Sequence, residues 1–218
     1  MPPSQKKSAP AGKPAPRVFR LDDAIAALQA GGLAVYPTET FYALGADPES
    51  SAAMARLFAA KGREPGRFIG LIAADAAMAF SLAREVPDNA RRIADAFWPG
   101  PLTLVLPARA GLAPEIAGPD GVAVRVSSHP VARALAVGLG RPVTATSANL
   151  SGEPAAATLA QAREAFGEKV KVYLEGGKMA AAAPSTVVAV AHDSWKIIRP
   201  GAISADQIAA VLAWEALK

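Results

Sequence analysis

Apolar and polar positions along this chain recur with two periods, one helical and one extended. Leu21, Ile25 and Leu28 fall at helical spacing behind Asp22, which predicts a first helix capped by Asp22 and closed by Gly31-Gly32. Met54, Leu57 and Phe58 repeat the pattern behind Ser50 or Ser51, with Gly62 after the last turn. Further helices are expected at about 75–84, 88–97, from Ser128 or His129 to near Gly138, at 158–166, and at 205–216 behind Ser204. Short apolar runs bounded by Gly and Pro predict strands at 18–20, 33–36, 68–73, 102–106, 122–126, 143–146, 170–174, 186–191 and 196–198. Strands and helices alternate first and strands gather late, which predicts one α/β domain over 17–218 with a mixed sheet. Residues 1–16 are Pro, Ala, Lys and Ser with little to bury, so a disordered basic tail is expected there.

Composition narrows the function classes. No apolar run approaches the roughly 20 residues of a membrane span, and no apolar stretch follows the N-terminal lysines as a secretory signal would require. The chain has no cysteine, which excludes disulfides, thiolate nucleophiles and cysteine-based zinc sites and fits a cytoplasmic protein. The net charge of +4 suggests nucleic acid at first sight. Four basic residues, Lys6, Lys7, Lys13 and Arg17, stand in the tail without an acid. The remaining 19 Lys and Arg (23 − 4) face all 19 acidic residues, so the body is formally neutral. A local cationic pocket remains compatible with this balance; a general phosphate-tracking surface does not.

The familiar phosphate, dinucleotide, serine-hydrolase and zinc-protease motifs are absent, and two histidines cannot build a histidine-rich metal site. The polar residues that remain stand in loops. Tyr36 to Pro48 runs from a strand into Thr38, Glu39 and Thr40, then Phe41, Tyr42 and a Gly45 that permits a tight turn. Such a loop at the carboxyl end of a strand is where α/β proteins place ligands. Lys61-Gly62-Arg63 either favours a helix C-terminus or reaches an anion. Arg125 lies among valines in a strand and calls for a carboxylate or phosphate partner. Thr144 to Gly152, with Ser147 and Asn149, is rich in hydroxyls; Ser185 precedes a strand and Arg199 follows one. Together these side chains suit recognition and transfer of phosphoryl or adenylyl groups, where positioning and charge stabilisation dominate.

In order, the segments YPTETFYALGAD, KGR, FWPGPLTLVL, VAVRVSSHPVARAL, TSANLSGEP, PSTVV and IIRPGAI resemble the YrdC/Sua5 family of threonylcarbamoyl-adenylate synthases over about residues 18 to 205. The chain is similar to the short, single-domain members. The resemblance implies a single YrdC-like α/β domain: a twisted mixed sheet, flanking helices and a concave, positively charged cavity. It implies conversion of L-threonine, bicarbonate and ATP to threonylcarbamoyl-AMP and pyrophosphate. The product would serve a separate tRNA threonylcarbamoyl transferase complex that modifies adenosine 37 of tRNA.

By the same resemblance Thr40, Arg125 and Ser185 would contact threonine. Lys61 and Arg63 would hold the ATP phosphates and carry the catalysis. Ser147, Asn149 and Arg199 would complete the nucleotide site, with no protein metal ligand and with Mg²⁺ arriving on ATP. Ala43 stands where the family usually has Gly, and TSAN replaces the commoner PSAN. Arg67 and Ile72 occupy positions that carry Asn and His in the longer branch. Glu39 is left between two readings, a partner for a site cation or a proton-transfer group. An RNA-binding module and a carbamoyl-adenylate-forming enzyme, like the YrdC-like domain of hydrogenase maturation factors, are the alternatives.

Overall fold

Capping chemistry sets most helix boundaries. A computed structural model describes residues 19–62, 69–179, 183–192 and 194–213. The first helix, α1 (Leu21–Gln29), starts two residues earlier than a cap at Asp22 implies: Arg20 is the N-cap, and its backbone N–H donates to Asp23 Oδ2 at 2.8 Å. Asp23 therefore does the work expected of Asp22, from the third helical position. Phe19 and Arg20 form no strand, and Val18 lies outside the described residues.

Strands β1 (Ala34–Tyr36) and β2 (Ala43–Gly45) flank the Tyr36–Pro48 loop. Gly45 is a strand residue and not a turn; a Cβ there would meet the Tyr36 ring at 2.8 Å, so close packing is what requires glycine. Helix α2 (Ser51–Lys61) is capped by Ser50, whose hydroxyl accepts from the Ala53 N–H, and ends on Gly62 in the left-handed region at φ 60°. Strand β3 (Leu71–Ala73) is shorter than the predicted run. Helices α3 (Ala76–Phe80) and α4 (Asp88–Phe97) lead to β4 (Leu102–Leu106), β5 (Ala117–Gly118) and β6 (Gly121–Val126).

His129 caps α5 (Pro130–Leu139): its Nδ1 accepts from the Val131 N–H, and Pro130 opens the first turn. The helix passes through Gly138 and ends on Gly140. The predicted strand at 143–146 divides into β7 (Val143–Thr144) and β8 (Thr146–Ser147). Helix α6 (Leu159–Phe166), with a Thr158–Gln161 capping box, precedes β9 (Val172–Tyr173), β10 (Thr186–Val190), β11 (Trp195–Arg199) and α7 (Ala205–Ala213). Among the described residues no helix is long and apolar enough to cross a membrane.

The sheet is not one but two. The larger has the order β11-β10-β4-β6-β3-β7, with β5 paired to β6; the smaller has the order β8-β2-β1-β9. Both mix parallel and antiparallel pairs. A single residue, Ala145, carries the chain from β7 in one sheet to β8 in the other. Thr144 is the stitch. Its backbone N–H donates to Ala46 O at 3.1 Å, and its hydroxyl oxygen accepts from the Ala46 N–H at 2.7 Å. The carbonyl of Thr144 accepts from the fully buried Tyr36 hydroxyl at 2.8 Å. Burial pushes that phenol well above its ordinary pKa, which keeps it a neutral donor.

Successive strand residues point to opposite faces. In the large sheet Leu102, Leu104, Leu106, Val122, Val124 and Val188 are fully buried in the main core. Helices α3, α4 and α7 gather on this side. The alternate residues, Thr103, Val105, Ala123, Arg125 and Val187, face an open cavity instead. Towards β7 that second face is closed by α1 and α5 over a smaller cluster containing Leu28, Tyr36, Ile72, Leu135 and Val143. The cavity occupies the seam between the two sheets.

Candidate functional site

The cavity encloses about 750 Å³, within the range typical of small-molecule sites. Thr40, Lys61, Arg125, Ser147, Asn149, Ser185 and Arg199 all line it. These are the candidate side chains that the sequence singled out, drawn from six separate segments of the chain. Arg63 lies outside the described residues, as does Arg67. Ala43 also lines the cavity, whereas Ile72 packs in the second apolar cluster.

Arg125 is the penultimate residue of β6, buried on the cavity face of the sheet. Its Nη1 donates to Glu39 Oε1 and, at 3.5 Å, to Thr40 Oγ1. The other carboxylate oxygen of Glu39 accepts from the Ser127 hydroxyl. The Arg125 and Glu39 side chains are only 8% and 12% exposed, so the pair is largely removed from water. A buried arginine without a counter-charge is strongly unfavourable, and Glu39 supplies that charge.

Thr38 shapes the loop that carries Thr40. The Thr38 hydroxyl donates to Phe41 O at 2.6 Å and accepts from the backbone N–H groups of Thr40 and Phe41. That donation uses its single proton. The two hydroxyl oxygens lie 3.1 Å apart. Thr40 lines the cavity, where its hydroxyl can meet a ligand amine or hydroxyl.

Lys61 is the last residue of α2 and is buried, with 3% of its surface exposed. Its ammonium donates to the carbonyls of Ser147 and Asn149 at 2.7 and 2.9 Å. The Ser151 N–H donates back to Lys61 O at 3.1 Å. The end of α2 and the 147–151 loop are thus tied together by a charge-assisted clasp. Within the loop Ser147 Oγ donates to Asn149 Oδ1, and the Asn149 amide donates to the carbonyls of Leu150 and Glu153.

Across the cavity, Arg199 Nη2 donates to the carbonyl and hydroxyl oxygens of Ser185 at 2.8 and 3.1 Å. The Ser185 hydroxyl also meets Thr103 Oγ1 at 3.0 Å. The turn after Arg199 folds back onto Pro184 and Ser185. A Cβ on Gly201 would lie 2.3 Å from Pro184 O, so this approach requires glycine. Desolvation at the cavity wall, and then the charge of Arg125, hold the Arg199 guanidinium below its usual pKa. Lys61, Arg125 and Arg199 thus converge on one space in which Asp120 is the one acid among the described lining residues. Such a space is suited to an anionic ligand.

Three contributors escape the sequence reading: Thr103, Ser127 and Asp120. Thr103 carried a usable signal, a hydroxyl inside the apolar run Leu102–Leu106, the same anomaly that drew attention to Arg125. Ser127 and Asp120 look like ordinary turn residues; Ser127 acquires a role only through Glu39, 88 residues away, and Asp120 by lining the cavity.

Comparisons with known proteins identify the family. The family model described as "Telomere recombination" (Sua5, YciO, YrdC) matches residues 26–201. A threonylcarbamoyl-AMP synthase of Chromohalobacter salexigens is 42% identical over 170 residues, covering 77% of this chain and 91% of the relative. One of Vibrio cholerae is 39% identical over 173 residues, covering 78% of this chain and 92% of the relative. The crystal structure of Pyrococcus abyssi Sua5 complexed with L-threonine superposes with a TM-score of 0.84 at 35% identity, over 88% of this chain and 57% of that one. The chain belongs to the Sua5/YciO/YrdC family.

Proposed function

We propose that this protein is an L-threonylcarbamoyl-AMP synthase, a nucleotidyltransferase that makes threonylcarbamoyl-AMP and pyrophosphate from L-threonine, bicarbonate and ATP. The observation that carries this reading is the convergence of Thr40, Lys61, Arg125, Ser147, Asn149, Ser185 and Arg199 on one cavity. Relatives bearing that activity in their names support the substrate assignment.

In the proposed reaction the threonine amine condenses with bicarbonate, forming an N–C bond and releasing water, to give a carbamate. A carbamate oxygen attacks the α-phosphorus of ATP as the bond to the pyrophosphate oxygen breaks. No protein nucleophile takes part. Arg125 and Ser185 would hold threonine, and Thr40 would accept a hydrogen bond from its amine or hydroxyl. Lys61, Arg63 and Arg199 would neutralise the phosphates, with Ser147 and Asn149 shaping that wall. Fixed charges aimed at developing negative charge are an efficient way to lower such a barrier.

Mg²⁺ would enter with ATP. Its ligands would be phosphate oxygens and water. The product would pass to a tRNA threonylcarbamoyl transferase complex in the cytoplasm. Pure protein incubated with ATP, bicarbonate and labelled threonine is expected to release pyrophosphate only when all three are present. Absence of threonine- and bicarbonate-dependent release sinks the proposal. Tight, salt-dependent RNA binding without ATP turnover would replace it with an RNA-binding role.

A further inference from the structure

Glu39 belongs to the loop between β1 and β2 and does not line the cavity; Arg125, its partner, does. The Glu39 carboxylate is tied to the guanidinium from that loop. Both of its oxygens are engaged, one by Arg125 Nη1 and one by the Ser127 hydroxyl. Ser127 is completely buried and is itself held in place. Its hydroxyl oxygen accepts from the His129 N–H at 3.2 Å, and its carbonyl accepts from Arg133 Nη1 at 2.5 Å. Those contacts anchor it to the first turns of α5.

The consequence lies in which donors of Arg125 are used. Its hydrogen bonds among the described residues, to Glu39 and Thr40, both leave from Nη1. A guanidinium offers two flat two-nitrogen edges that can accommodate a carboxylate. With Nη1 committed to Glu39, the remaining edge is Nε–Nη2.

We propose that Glu39 is the positioning residue for amino-acid recognition: with Ser127 it clamps Arg125 by Nη1, so that the Nε–Nη2 edge receives the threonine carboxylate. This rests on the threonine reading of the site given above. It assigns Glu39 no part in proton transfer, because a general base must reach the proton it removes, and both carboxylate oxygens are already engaged by Arg125 and Ser127.

The test compares the wild-type chain with Glu39→Gln, Ser127→Ala and the double variant. Threonine and ATP are varied separately at saturating bicarbonate, and folding is checked by thermal melting. Glu39→Gln is expected to raise KM for threonine about tenfold while kcat and KM for ATP stay within about twofold, the signature of lost ground-state positioning. The pH profile should keep its limbs. Ser127→Ala should raise KM for threonine by a smaller factor, about threefold, and should add little in the double variant because the two residues act as one unit. If Glu39→Gln does not fold, Ser127→Ala carries the same readouts.

An unchanged KM for threonine in folded Glu39→Gln overturns the proposal. So does a collapse of kcat with loss of a pH limb, or an equal weakening of threonine and ATP. Wild-type turnover with threonine alongside any of these results removes the positioning role alone. A wild-type protein without threonine-dependent turnover removes the functional reading and this inference together.

Discussion

Leu104 and Thr103 are neighbours in β4 and point to opposite sides of the same sheet. Leu104 is fully buried in a layer of leucine and valine beneath α4 and α7. Thr103 is 7% exposed, yet it sits on the cavity wall and shares a hydrogen bond with Ser185. The same split recurs one strand over, between Val124 and Arg125. One face is filled by branched side chains and holds the fold together. The other is kept open by Ala123, Thr103 and Ser185, and its charges are held by partners from other segments. Burial alone does not distinguish the faces; the identity of each side chain's partner does.

Substitution on the two faces should therefore fail differently. Leu104→Ala removes packed atoms from the closed face and should cost about 2–5 kcal/mol. Urea unfolding should show this as a lower midpoint at unchanged slope, with KM for threonine and ATP retained by the folded fraction. Thr103→Val keeps the shape and removes one hydroxyl from the open face. Its expected signature is a rise of roughly threefold to tenfold in KM for threonine, with a stability loss under about 1.5 kcal/mol. If Thr103→Val destabilises as much as Leu104→Ala, or leaves KM untouched, the division between the faces is wrong.

A smaller effect is expected at His129, whose neutral Nδ1 caps α5 behind the Glu39 clamp. Burial lowers its pKa, against a raising influence from Glu39 and with a further lowering one from Arg133. The unfolded chain, with an ordinary histidine near 6.5, takes up a proton first as pH falls. Stability from this group is therefore present above about pH 6.5, declines below it, and levels off below the folded-state pKa. His129→Gln should flatten that part of the pH dependence. Urea midpoints at about pH 7.5 and 5.5 give the slopes to compare; equal slopes in the two proteins would show that His129 contributes nothing to it.

Much of this was legible along the chain because local chemistry decides it. Ser50, Thr158, Ser204 and Pro130 announce helix starts, Gly62 a helix end, and the apolar run at 102–106 a strand, all through backbone groups within a few residues. Misreadings arose where two local candidates competed, as with Asp22 and Asp23, or where a distant neighbour sets the constraint. Gly45 reads as a turn glycine, but the Tyr36 ring is what leaves no room for a side chain.

The candidate site divides in the same way. Arg125 stood out because a cation amid valines needs a partner, Lys61 as a cation closing a predicted helix, and Ser147, Asn149, Ser185 and Arg199 as polar groups beside predicted strands. That they share one cavity follows from the seam between two sheets, created when Thr144, Ala145 and Thr146 carry the chain from one to the other. Glu39 could not be assigned from the chain, because its oxygens meet Arg125 and Ser127, 86 and 88 residues away. Periodicity and capping are written into neighbouring residues and survive reading one segment at a time. Which cation faces which carboxylate, and which side of a guanidinium is left for a ligand, is decided only when strands far apart in sequence are hydrogen-bonded into register.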